Sequence, residues 1–422
     1  MRRPSTRSRV VLAAGAVTAA TVTALAGLPA SASASTVPGG TVVHGALQRY
    51  IVVLDAGSDA RAVAAQHADS LGVIPGHIYS SALDGYAARM PAAVADQLAG
   101  DPRVAYVQPD RKVTADAQTT PTGIDRSDAD LSPTAAINGT DQRVDVDVAV
   151  IDTGVDLDHP DLNVYRAGAK NCALALSADD DNGHGSHVSG TIGALDNGAG
   201  VVGMAPGARI WPVKVLNAAG VGFTSDIVCG IDYVTANAAS IEVANMSLGG
   251  GGTDDGNCGR TDGDAEHQAI CASVAAGVAY AVAAGNDSAD AAESAPASYD
   301  EVITVSALSD FNGQPGGGAP STCRADVDDT FADYSNYGSD VDLIAPGTCI
   351  LSTWMNGGYN TISGTSMATP HVAGGAALYA ATHPTATPAQ VKAALQSAGT
   401  LDWNDSDDPD NTKERLLNVA GF

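Results

Sequence analysis

The stretch Gly364-Thr365-Ser366-Met367-Ala368-Thr369-Pro370-His371-Val372-Ala373-Gly374 decides how this chain is read. It opens an apolar run of small residues, Met367 to Ala381, that reads as a buried helix. Pro370 falls early in the run, where a missing N–H costs least, so the pattern predicts a helix starting close to Ser366. A serine placed there has unpaired backbone N–H groups beside it and the positive end of the helix dipole behind it. Those surroundings suit an oxygen nucleophile whose target becomes an oxyanion. A lone serine at a helix start is ordinarily just an N-cap, so the reading depends on what the rest of the chain supplies.

The chain has 422 residues, 45% of them hydrophobic and 16% charged, which describes a globular protein with room for two folded units and processed segments. Residues 1–34 hold Arg2, Arg3, Arg7 and Arg9 and no acid, so removing them takes the formal charge from −27 to −31. Such acidity argues against nucleic acid or an anionic membrane as partner. The basic start, the apolar stretch Val10 to Leu28 and the small residues Ala30, Ala32 and Ala34 read as a secretory signal peptide over 1–34. A stable membrane anchor is disfavoured, because the run is mostly Ala, Thr and Gly and is interrupted by Pro29. All six cysteines (172, 229, 258, 271, 323, 349) follow residue 170, as expected of disulfides in an exported chain. Fifteen pairings are open. Nearness in sequence favours Cys258–Cys271 and Cys323–Cys349, leaving Cys172–Cys229.

Residues 49–109 read as a compact β-α-β-β-α-β unit, the ferredoxin-like split motif. Tyr50–Leu54 is the first strand, and Asp59 caps a helix closed by Gly72. Strands at His77–Ala82 and Tyr86–Met90 flank an Asp84-Gly85 turn, Pro91 opens a second helix, and Val104–Val107 is the last strand. From Ala117 onward, buried strands alternate with helices, the pattern of an α/β parallel sheet with helices on both faces. Val144–Ile151 is a strand that delivers Asp152-Thr153-Gly154-Val155 at its carboxyl end, where such folds gather their functional groups. Asp181-Asn182-Gly183-His184-Gly185-Ser186-His187 follows. His184 and His187 stand i, i+3 with acids at 179–181, but no H-E-x-x-H or third histidine supports a metal there. Asn286 closes another strand in Ala284-Gly285-Asn286-Asp287, and Gly251 to Cys271 reads as a polar surface excursion.

Taken together, these segments resemble the subtilisin-like serine peptidases, with residues 35–116 similar to their inhibitory propeptide and 117–422 to the peptidase domain. The order Asp…His…Ser differs from both the chymotrypsin and the α/β-hydrolase orders. The resemblance implies Asp152, His184 and Ser366 as a triad, with Asn286 in the oxyanion hole and His187 structural. It also implies substrate-binding strands at Gly220-Val221-Gly222 and around Ser247-Leu248-Gly249. Its calcium loop maps onto Gln118, Asp161, the Asn197 side chain and the carbonyls of Leu195, Ala199 and Val201, an all-oxygen set suited to Ca²⁺. No organic cofactor is expected. The implied protein is a secreted, extracellular endopeptidase made as a self-processing zymogen, cut between Asp116 and Ala117. Its partners would be polypeptide substrates and its own propeptide, with Gln108 to Asp116 lying in the active-site cleft.

Overall fold

The computed structural model describes residues 46–110, 117–173, 175–410 and 412–422. The expected signal peptide and the Asp116 side of the expected processing point lie outside the described residues. The chain divides into two compact units, one on either side of residues 111–116.

The smaller unit runs β1 (Gln48–Leu54), α1 (Ala60–Leu71), β2 (Ile74–Ser80), β3 (Asp84–Met90), α2 (Ala92–Leu98) and β4 (Val104–Pro109). Its antiparallel sheet has the order β2-β3-β1-β4. Asp59 accepts the Ala62 N–H at 3.0 Å, and Gly72 ends α1 in the left-handed region at φ 68°. Tyr50, Val52 and Leu54 alternate inward along β1, against Val63 and Ala64 of α1 and Val94 and Leu98 of α2. The expected turn is displaced. Asp84 and Gly85 belong to β3, and the connection is made by residues 81–83. The glycine serves close approach here, since a Cβ at Gly85 would stand 2.4 Å from Val52 O.

The larger unit comprises α3 (Thr122–Arg126), β5 (Asp147–Asp152), β6 (Lys170–Asn171), α4 (His184–Gly193), β7 (Arg209–Lys214), α5 (Thr224–Ala236), β8 (Val243–Met246), β9 (Gly250–Gly251) and α6 (Ala265–Ala275). It continues with β10 (Ala279–Ala283), β11 (Ser294–Ala295), β12 (Ile303–Ser309), β13 (Thr330–Phe331), β14 (Leu343–Pro346), β15 (Ile350–Trp354), β16 (Gly358–Ile362), α7 (Thr365–Thr382) and α8 (Pro388–Ala398). Strands β14-β12-β10-β8-β5-β7-β6 run parallel, and β13 adds antiparallel to β12. Both faces of this sheet are covered, which explains its unbroken apolar strands. Along β5, Val148 and Val150 join a core with Val188, Ile192 and Val372, while Ala149 and Ile151 join a second with Ile231, Val234 and Ile270. The strand begins at Asp147, later than the pattern predicted, because its neighbour β7 begins only at Arg209, the residue that pairs with Asp147, and the side chains of Arg209 and Trp211 bind the Asp147 carboxylate there.

Helix α7 is buried nearly all round, as a helix through the core must be. It begins at Thr365, so Pro370 is its sixth residue, beyond the first turn. Pro370 offers no N–H to the carbonyl of Ser366, four residues back. The Ser247 hydroxyl supplies the missing donor at 2.9 Å, tying the end of β8 to the start of α7. The three disulfides pair Cys172–Cys229, Cys258–Cys271 and Cys323–Cys349, as nearness in sequence favoured. The polar excursion after Gly251 ends at Asp264, whose side chain caps α6 through the N–H groups of Glu266 and His267. Sequence reading had extended it to Cys271.

Candidate active site

Asp152 ends β5, fully buried, with its Oδ1 accepting the Thr153 N–H at 2.6 Å. His184 opens α4 and places Nδ1 2.8 Å from Asp152 Oδ1 and 3.0 Å from Oδ2. The approach needs a glycine at 185, because a Cβ there would meet Gly154 O at 2.0 Å and the Asp152 Cβ at 3.2 Å. Burial disfavours an imidazolium at His184, but the Asp152 charge and hydrogen bond, with Asp180 farther off, outweigh it and raise the pKa above the ordinary histidine value. His187 lies buried with Nε2 2.9 Å from Ile350 O, and burial pushes it down to about 3. It is a neutral packing residue.

Asp180 is a residue that sequence reading missed. Its Oδ1 accepts from Thr153 Oγ1 at 2.9 Å and from the N–H groups of Asn182 and Gly183, and its Oδ2 accepts from Ser186 N and Oγ. It therefore binds the turn carrying Asp152 to the turn carrying His184. An acid in a run of three aspartates gave no sign of this. Lys214, fully buried, completes the brace by donating to Thr153 O and to Asp181 Oδ1.

Ser366 is the second residue of α7, and its hydroxyl donates to Ser247 O at 3.2 Å. Among the described residues no hydrogen bond joins Ser366 Oγ to His184. The two flank Ser247: His184 and Ser247 line one cavity of about 360 Å³, and Ser366 lines an adjoining one of about 490 Å³ that shares Leu248 and Gly249. Asn286 lines the second cavity. Its Oδ1 accepts from Thr365 N at 2.8 Å and Thr365 Oγ1 at 3.1 Å, which fixes the amide orientation and leaves the NH₂ group without a partner among the described residues. Asn336 was also missed. It accepts from Asp287 N and Ala289 N and donates to Ala284 O, stapling the turn that presents Asn286.

Gly220, Val221 and Gly222 line the first cavity with His184, as do Ser247, Leu248 and Gly249. Neither segment is a strand, contrary to expectation. Residues 220–222 follow a turn with Gly220 at φ 72°, and 247–249 bridge β8 and β9. Both lie open along one side, without a ladder partner of their own among the described residues.

The six residues of the expected calcium loop gather at one place. Gln118 Nε2 donates to Leu195 O (2.7 Å) and Val201 O (3.1 Å), and Asn197 Nδ2 donates to Asp161 Oδ1 (2.9 Å). Asp161 Oδ2 takes the Val201 N–H at 3.0 Å and the hydroxyl of Tyr359, a neighbour that the sequence did not reveal. Ala199 enters through its N–H, which donates to Asn197 Oδ1. Two amide NH₂ groups thus point their positive ends at carbonyls and a buried carboxylate, the surroundings a cation would share.

The fold has known counterparts. A solved structure described as a cold adapted subtilisin-like serine proteinase superposes with a TM-score of 0.53, at 33% identity, over 72% of this chain and 99% of that one. The fold is therefore that of the subtilisin-like serine proteinases. Residues 144–422 match the subtilase family and residues 49–116 the peptidase inhibitor I9 family. An extracellular serine proteinase of Thermus sp. (strain Rt41A) is 41% identical over 325 residues, 75% of this chain and 71% of the relative. Subtilisin NAT of Bacillus subtilis subsp. natto is 39% identical over 318 residues, 74% and 75% of the two chains. The chain belongs to the subtilase family. It is a serine proteinase, a hydrolase of peptide bonds, that carries an I9 domain ahead of its peptidase domain.

Proposed function

We propose that the chain is a secreted endopeptidase whose chemistry runs through Asp152, His184, Ser366 and Asn286. The observation that carries this reading is the buried Asp152 carboxylate held on His184 Nδ1, with Ser366 at a helix N-terminus across Ser247. Asp152 fixes the tautomer, so the other ring nitrogen, Nε2, is free to act as base. Ser366 Oγ attacks the scissile carbonyl, His184 takes its proton and then hands it to the leaving amine. The hydroxyl leaves Ser247 O to meet Nε2 as substrate docks, since catalytic hydrogen bonds tighten in the complex. The oxyanion receives the Ser366 backbone N–H and the free NH₂ of Asn286. Peptide backbone lies between the open segments 220–222 and 247–249, pairing as an added strand. A fluorophosphonate probe is expected to label Ser366 alone. Labelling that survives Ser366→Ala would overturn the assignment.

Because Thr365 fixes the orientation of the Asn286 amide, Asn286→Ala removes a donor aimed in advance. The expected cost is roughly 10²–10³ in kcat with KM little changed, a magnitude established on a subtilisin and carried over here. A loss confined to KM would place Asn286 in ground-state binding instead.

We assign 1–34 as signal peptide, 35–116 as inhibitory propeptide and 117–422 as the mature enzyme, released by self-cleavage. The mature start would bring Gln118 to the loop at 195–201, where rotating the Gln118 and Asn197 amides turns their oxygens inward beside Asp161 Oδ. The resulting donors are all oxygen, a set that fits Ca²⁺, which would clamp the mature N-terminus and take no part in the chemistry. Excess EDTA is expected to lower the thermal midpoint of the inhibited enzyme by several degrees, with recovery on adding Ca²⁺. An unchanged midpoint would remove the ion from this reading.

A further inference from the structure

The segment after β9 holds polar groups that the peptidase chemistry leaves unused. His267, in the first turn of α6, is enclosed at 1% exposure, and its ring stacks flat on Tyr299 with centroids 3.9 Å apart. Its Nε2 lies 2.9 Å from Glu301 Oε2. An ionised carboxylate only accepts, so Nε2 carries a proton, which in a neutral ring leaves the lone pair on Nδ1. Nδ1 is buried with no hydrogen-bond partner among the described residues, and faces Asp254 Oδ1 at 3.7 Å and Asp255 Oδ1 at 3.8 Å. Backbone N–H groups already bind both carboxylates, but a buried imidazole nitrogen facing them at these distances still leaves room for a positive charge in the gap.

A proton fits that gap poorly. N–H···O bonds extend to about 3.2 Å, and both contacts are longer. A metal ion fits better, because donors bound at about 2.0–2.1 Å in tetrahedral array stand about 3.4 Å apart. The two N···O distances need shorten by only a few tenths of an ångström to reach that spacing, and all three donor atoms lie within 4.8 Å of one another. Glu301 adds a further sign, since ligating imidazoles regularly donate their second N–H to a carboxylate. Backbone N–H groups of its own loop orient the Asp255 carboxylate, Asn257 and Gly259 donating to Oδ1 and Thr261 to Oδ2. The nearby Cys258 and Cys271 are joined to each other, so the available donors are one nitrogen and two oxygens.

We propose that His267 Nδ1, Asp254 and Asp255 form a binding site for a borderline divalent metal ion, Zn²⁺ by preference, with Glu301 orienting the imidazole and water completing the shell. An imidazole ligand separates this site from the all-oxygen loop at 195–201 and disfavours Ca²⁺. The ion would clip the loop between β9 and α6 to the strand entry at Glu301, and that loop follows directly in sequence on Gly250 and Gly251, which border the cavity of Ser366.

The test uses the whole chain, blocked at Ser366 with phenylmethylsulfonyl fluoride so that it cannot digest itself. Titration with Co²⁺ is expected to give one bound ion per chain with the visible absorption of a four-coordinate nitrogen–oxygen site. Zn²⁺ should displace it and excess Ca²⁺ should not. His267→Gln should abolish the band, and Asp254→Asn and Glu301→Gln should each weaken binding roughly ten- to a hundredfold. A band that persists in His267→Gln, or its absence from the unmodified chain, overturns the proposal. Should the variants fail to fold, nitrogen NMR of the unmodified protein decides. The His267 Nδ1 resonance should move on adding Zn²⁺, whereas an unmoved, protonated Nδ1 would show that a proton fills the gap.

Discussion

Ser366→Ala is expected to accumulate as a single chain that keeps its I9 domain, with peptide hydrolysis down by about 10⁶ in kcat, the scale established for a subtilisin's nucleophile. Little structural loss should accompany it. Among the described residues Ser366 makes one side-chain bond, to Ser247 O, while the tie that completes the helix start runs from the Ser247 hydroxyl to the Ser366 carbonyl and survives the change. Loss of activity with an unchanged thermal midpoint would therefore isolate the chemistry. Intact-mass measurement on the secreted variant checks the processing. A product already beginning at Ala117 would show that another protease makes the cut, and the self-processing assignment would fall while the triad stood.

Asp152→Asn should cost about 10⁴ in kcat, the magnitude known for this aspartate role in serine peptidases, because the amide holds the wrong imidazole tautomer. It should also move the pH profile, with a definite sign. His184 acts as base only when neutral, so kcat/KM falls as pH drops through its pKa. Burial lowers that pKa, and the Asp152 charge and hydrogen bond more than offset it, placing the acid limb above the ordinary histidine range. Removing the charge leaves burial as the main influence, with only distant Asp180 opposing it, so the limb should shift to lower pH. Residual activity of the variant, measured from pH 4 to 9 on an activated ester, checks the direction. An unmoved limb would mean that Asp152 does not set the His184 titration.

How much of this was legible in the sequence depended on whether a residue's partners were local. The cap at Asp59, the left-handed Gly72 and the buried run of α7 follow from chain-neighbour chemistry, and all stand where the pattern put them. Pro370 was read as a first-turn proline. Its true position exposes the Ser366 carbonyl, and only a hydroxyl 119 residues away makes that harmless. Asp180 and Asn336 carried no sequence signal at all. Their importance comes from the number of backbone N–H groups that converge on them, and convergence is a property of folded loops.

The amino-acid order alone determined the α/β class and the small split β-α-β-β-α-β unit ahead of it, because periodicity is written in adjacent positions, and its short motifs carried the family resemblance that implied the peptidase residues. Tertiary structure decided which groups meet. It set His184 on Asp152 through the clearance at Gly185, turned Asn286 by way of Thr365, and made 220–222 and 247–249 cavity-lining segments without a ladder partner among the described residues rather than strands. It also enclosed His267 Nδ1 opposite two carboxylates from a loop that reads, residue by residue, as solvent-facing. Burial and donor–acceptor distance make those differences, and neither exists until the sheet has closed over its helices.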